Sequence, residues 1–266
     1  MKYSMGNEAM ASLDALLSQW FLEESFILLD GSSRDLFCYS ESNLSLHIEN
    51  HEEENKERQR LPTQSLYKDL HRKVFLFPAS SADSYVTLSP LKNTELQNFT
   101  VCLWTYTELT RGYSVFSYAT QASTNEILLF RDSVGQYSLT VGSEEVTFQV
   151  QEPSFTPINI CATWASASGV AEIWVDGIPL VRKVLKQGYT LSANAMIILG
   201  QDQDSYGGGF DINQSFLGEI GNVYMWDYVV PFHEGKTNCS QANVLNWKKM
   251  KYEKMGHVIM VPQLRD

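Results

Sequence analysis

Asn159-Ile160-Cys161-Ala162-Thr163-Trp164 places Ile160, Ala162 and Trp164 on one side of an extended chain and Asn159, Cys161 and Thr163 on the other. A period of two reads as a β-strand. Phe99-Thr100-Val101-Cys102-Leu103-Trp104 repeats the pattern, again with a cysteine inside it. A bridge between Cys102 and Cys161 would staple two strands of a sandwich and, by restricting the unfolded chain, contribute about 4 kcal/mol. Two buried free thiols in a reducing compartment are the alternative. None of the four cysteines forms a Cys-x-x-Cys, so a zinc site is not indicated.

Outward from these segments, short apolar runs bounded by turn residues occur at 74–77, 85–88, 114–118, 126–130, 137–141, 146–150, 171–175, 196–199 and 222–226. Many short strands at this spacing predict an all-β, two-sheet antiparallel sandwich over 71–266. Glu172-Ile173-Trp174-Val175-Asp176-Gly177-Ile178-Pro179-Leu180 predicts a hairpin turning at Asp176-Gly177. One short helix is expected within 231–245, kept brief by Gly235 and Asn238.

Residues 1–70 differ in kind. They hold 13 acidic and 6 basic side chains, including the run His51-Glu52-Glu53-Glu54-Asn55-Lys56-Glu57-Arg58-Gln59-Arg60, which reads as a solvated helix face or a linker. Leu13, Leu16, Leu17, Trp20 and Phe21 fall near helical spacing and predict an amphipathic packing helix over 9–29. This region is expected to be an unrelated extension, partly helical or disordered.

The whole chain of 266 residues, 44% hydrophobic, is long enough to bury a full core. Its net charge of −11 argues against nucleic acid or an anionic membrane surface as partner. No run approaches the roughly 18 apolar residues of a membrane span. A cleavable signal peptide is not visible.

Asp202-Gln203-Asp204-Ser205-Tyr206-Gly207-Gly208-Gly209-Phe210-Asp211-Ile212-Asn213-Gln214 gathers carboxylates and amide oxygens around glycines, the composition of a loop that wraps a calcium ion. Acidic Gly-rich turns also occur for solvation alone. An EF-hand is excluded, because Tyr206 and Asn213 stand where its pattern needs an oxygen ligand and a glutamate. Asp202 and Asp204 could be cast as a glycosidase pair, but no Glu-x-Asp-x-x-Glu strand, Gly-x-Ser-x-Gly elbow or His-Glu-x-x-His motif accompanies them. The expectation is a binding protein and not an enzyme.

Asn159-Ile160-Cys161-Ala162-Thr163-Trp164-Ala165-Ser166 resembles the pentraxin signature His-x-Cys-x-Ser/Thr-Trp-x-Ser/Thr, with Asn159 in place of His. Arg111-Gly112-Tyr113-Ser114-Val115-Phe116-Ser117-Tyr118, Trp174-Val175-Asp176-Gly177, Ile198-Leu199-Gly200-Gln201-Asp202-Gln203-Asp204-Ser205 and Val244-Leu245-Asn246-Trp247 are similar to the same family in the same order. The resemblance covers nearly all of 71–265. Thr237–Trp247 is similar to the mucosal branch; Cys239 there reads as a surface thiol, the alternative being an interchain bridge or one to the extension, with Cys38 as a candidate partner.

The resemblance implies a lectin-like jelly roll that is secreted, assembles as a homo-oligomer, with a five-membered ring expected, and serves innate immune recognition of microbial or damaged-cell surfaces. It implies two calcium ions per subunit, held by Thr124 and Asn125 on one loop and by Asp202, the Gln203 carbonyl, Asp204, Asp211 and Gln214 on another. Thr124 stands where the family has Asp, so the first ion is expected to be held weakly. Bound calcium would present open positions to a phosphate or carboxylate of an anionic glycan or phosphocholine, with Phe130, Thr140 and Glu145 facing the choline. Trp226 to Trp247 is shorter than in the serum members, so complement and Fc-receptor binding are not carried over. Asn98-Phe99-Thr100 is an N-glycosylation sequon. An assembled member that has lost strong calcium and ligand binding is the alternative function.

Overall fold

The computed structural model describes residues 66–151, 156–232 and 237–264. The predicted helix over 9–29 and the charged run 51–60 lie outside them. Fifteen strands follow in chain order: β1 (Lys73–Phe77), β2 (Tyr85–Ser89), β3 (Asn98–Tyr106), β4 (Tyr113–Ala119), β5 (Ile127–Ser133), β6 (Gln136–Val141), β7 (Glu144–Gln149), β8 (Ile158–Ala165), β9 (Val170–Val175), β10 (Ile178–Pro179), β11 (Lys183–Val184), β12 (Met196–Leu199), β13 (Gly218–Trp226), β14 (Lys251–Met255) and β15 (Ile259–Pro262). One sheet has the order β10-β9-β8-β3-β13-β1-β15, with β11 also on β9; the other runs β14-β2-β12-β4-β5-β6-β7. Successive strands from β1 to β4 alternate between the sheets, as a jelly roll requires.

The core lies between the sheets. In β2 the buried Val86 and Leu88 alternate with half-buried Tyr85, Thr87 and Ser89, and Ile127 and Leu129 of β5 are likewise sealed off. Trp164 is wholly buried against Phe99, ring centroids 6.1 Å apart, and its Nε1 donates to the Leu185 carbonyl at 2.8 Å. Burying such a ring contributes several kcal/mol only if its N–H finds an acceptor, and this one does. β14 is an edge strand, and Lys251 and Lys254 on it discourage edge-to-edge pairing.

Register places Cys102 directly opposite Cys161, and the two form a disulfide with Cα atoms 4.1 Å apart. The free-thiol alternative is thereby set aside. Tyr224, Cys102, Cys161 and Trp174 form one row across β13, β3, β8 and β9, on the face turned away from the core residues Phe99, Val101 and Leu103. The hairpin turn also forms as predicted: Asp176 and Gly177 both have positive φ, 47° and 79°, between paired Val175 and Ile178.

Two expectations are corrected. Among the described residues there is no α-helix; the described part of 231–245 gives a 3-10 turn at Cys239–Gln241, capped by the Asn238 side chain on Ser240 N–H. Cys239 is not a surface thiol, being 5% exposed and disulfide-bonded.

Candidate metal centre and ligand face

Beyond β12 the chain turns at Gly200, whose φ of +90° and whose contact with the Phe77 ring, 2.3 Å from where a Cβ would stand, admit no side chain. The loop that follows is pinned by Gln203, which is wholly buried. Its Nε2 donates to Ser117 Oγ at 3.0 Å and to the Met196 carbonyl at 3.1 Å, and its Oε1 accepts from Gly207 N–H at 3.0 Å. With the side chain so engaged, the carbonyl is the oxygen that Gln203 retains for a ligand. Ser205 and Gly208 exchange backbone hydrogen bonds and close the glycine end of the loop.

Asp202 sits beneath this loop at 5% exposure, and its Oδ1 has no donor. Burial first, then the charge of Asp204, pushes its carboxyl up to about 6, against an opposing N–H from Gln203. Asp204 itself is exposed. Further along, Asp211 caps a 3-10 turn at Ile212–Gln214 by accepting from Asn213 N–H and Nδ2, each at 2.9 Å. Gln214 Oε1 on that turn is buried without a donor.

On the β4–β5 loop, the Asn125 carbonyl accepts from Ser143 N–H at 3.0 Å, while Asn125 Oδ1 is again buried without a donor. Thr124 beside it is half-buried. Asn125, Asp202 and Gln214 thus bring three unsatisfied oxygens from three segments, and leaving each buried acceptor unmatched costs about 1–3 kcal/mol. A hard dication takes such oxygens, so the donor set fits calcium. Among the described residues no three carboxylate, imidazole or thiol side chains converge, so Asp202, Asp204 and Asp211 do not form a carboxylate cluster here.

Phe130, Thr140 and Glu145 share the outer face of the second sheet, with Phe130 opposite Ser138 and Thr140 opposite Glu145. Ser117, Leu128, Thr140 and Glu145 are successive register partners across β4, β5, β6 and β7. Side chains opposite one another stand about 5 Å apart, so a row leads from the Gln203 anchor on Ser117 to Glu145. Phe130 lies two residues from Leu128 on the same face and is half-buried; Glu145 is exposed and accepts from Thr140 Oγ1 at 3.5 Å. Asn98 begins β3 half-buried, and its sequon partner Thr100 is wholly buried, donating to the Tyr228 carbonyl.

Arg111 escapes sequence reasoning as a site residue. Its guanidinium donates to the Asn213 carbonyl at 2.9 Å, to Gly112 O at 2.9 Å and to Ser80 Oγ at 2.9 Å, bracing the turn that carries Asp211 and Gln214. The segment Arg111-Gly112-Tyr113 was legible only as a resemblance, because the Asn213 carbonyl that Arg111 braces lies 102 residues further along the chain.

The Pentaxin family model matches residues 73–262. Mucosal pentraxin of Bos taurus is 48% identical over 204 residues, covering 77% of this chain and 94% of the relative, and C-reactive protein of Homo sapiens is 52% identical over 202 residues, covering 74% and 90%. The native heptameric SAP-like pentraxin from Limulus polyphemus superimposes with a TM-score of 0.66 at 21% identity, over 74% of this chain and 97% of that one. The chain belongs to the pentraxin family.

Proposed function

We propose that this chain is a calcium-dependent, lectin-like binding protein without catalytic activity, which recognises anionic or phosphocholine-type ligands on microbial or damaged-cell surfaces. The observation that carries the reading is the trio of buried, donorless oxygens on Asn125, Asp202 and Gln214. Those residues, with the Gln203 carbonyl, Asp204 and Asp211, would hold two calcium ions. Calcium, when bound, supplies open coordination positions for an anionic oxygen. Phe130 offers a ring face and Glu145 a carboxylate to a trimethylammonium group. Kinship with mucosal pentraxin and C-reactive protein supports a secreted, homo-oligomeric protein, for which we propose a ring of five. Residues 71–266 form the binding domain, 1–70 an extension, and Asn98 carries an N-linked glycan.

Thermal melting against calcium is the test. At a hundredfold excess over the dissociation constant the folded state gains about 2.7 kcal/mol, and Asp202→Asn abolishes that gain. Retention on phosphocholine resin and release by chelator then identify the ligand. Thr124 favours a second reading, an assembled member that has lost its ligand; a melting point indifferent to calcium would establish it. Glycan hydrolysis lost in Asp204→Asn would establish an enzyme instead.

A further inference from the structure

Glu126 follows Asn125 directly, is wholly buried, and has no part in the ligand set. Its Oε2 accepts from the Tyr189 hydroxyl at 2.8 Å and its Oε1 from Ser192 N–H at 2.6 Å, partners 63 and 66 residues further along the chain. A carboxylate buried among neutral donors is costly, so hydrophobic packing does not account for its presence. The same tyrosine reaches the next loop: a Cβ on Gly142 would stand 2.6 Å from Tyr189 Cε1, so the ring lies flat on that glycine. Gly142 N–H donates to the Glu126 carbonyl and Ser143 N–H to the Asn125 carbonyl, each at 3.0 Å. Lys186 completes the ties, with Nζ 2.9 Å from Glu144 Oε1 and 5.5 Å from the Tyr189 ring centroid.

We propose that Glu126 and Tyr189 are positioning residues of the ligand face. Through the Glu126–Tyr189 hydrogen bond and the Tyr189 ring on Gly142 they reinforce the two backbone hydrogen bonds that join the Asn125 loop to the β6–β7 hairpin bearing Glu145. Metal affinity and recognition of a cationic headgroup therefore rise and fall together. The inference rests on the calcium reading above.

Tyr189→Phe deletes only the hydroxyl, and Glu126→Gln keeps the shape. Calorimetry of calcium binding to the full chain, phosphocholine binding at saturating calcium, and amide exchange in chelator are measured for both and for the double variant. Each single variant is expected to bind calcium about tenfold more weakly, the usual scale for a lost supporting contact. The double variant should be no weaker than the worse single, since both cut one tie. Phosphocholine affinity falls with them, and exchange speeds up at Gly142 and Ser143 while the sheets stay protected. Unchanged calcium affinity and unchanged exchange at those amides overturn the proposal. So does protection lost throughout both sheets, which would make Glu126 a residue of general stability. A wild-type chain that takes up no calcium defeats the metal reading alone, and exchange at Gly142 and Ser143 then decides the positioning role by itself.

Discussion

Asp202 carries the sharpest single-residue consequence. Its carboxyl lies at about 6 in the folded chain, above its ordinary 3.8, because burial and Asp204 disfavour the charge. A raised pKa means that Asp202 favours folding fully below pH 4, and that this contribution is lost as pH climbs through 6. Two units correspond to about 3 kcal/mol. In chelator, Asp202→Asn should therefore melt above the wild type at pH 7.5, with the gap closing towards pH 4. In saturating calcium the order should reverse. Thr124→Asp works in the opposite sense: an added carboxylate should tighten calcium binding by about an order of magnitude, read by calorimetry. The loop 202–214 was legible at this scale because its acids and glycines are contiguous. Glu126 was not, because nothing local marks a glutamate whose partners lie 63 and 66 residues away.

Among the elements, the 3-10 turn Ile212–Gln214 has three residues, none of them wholly buried, and beyond its Asp211 cap it is braced from outside by Arg111. Arg111→Ala should weaken calcium binding several-fold while circular dichroism remains that of the native sheets. The disulfide sits across a non-local strand pair 59 residues apart, and Cys102→Ala with Cys161→Ala should cost about 4 kcal/mol in denaturant unfolding. Strands such as β2 and β9 were legible because one face is sealed in the core and the other is not, and β3, β4 and β8 because short apolar runs are buried on both faces. β14 and β15 were missed for the same physical reason turned round: Lys251–Met255 shows little burial on either side, and without a buried face no period of two is written into the chain. Which side of the sheet Phe130, Thr140 and Glu145 share follows from register, a property of paired strands that no single strand displays.

On the scale of the molecule, Ile178, Val181 and Val184 are large apolar side chains, 64%, 79% and 68% exposed, grouped at the β10–β11 edge of the first sheet. In the proposed ring of five such a grouping would be the surface that a neighbouring subunit covers. Val181→Glu should convert the proposed ring of five into single subunits in sedimentation velocity, and a wild type that sediments as one subunit would remove the ring altogether. Phosphocholine retention on a multivalent resin should then drop far more than affinity for soluble phosphocholine, because linked sites multiply avidity. The proposed calcium loops border the second sheet and the buried Cys102–Cys161 row lies in the first, with a close-packed interior between the sheets. An interior of that density has low compressibility, so the two sheets move together as one stiff body. Any receptor reading the rear of the molecule would sense capture as a local crowd of identical backs, a count of copies and not a change of shape.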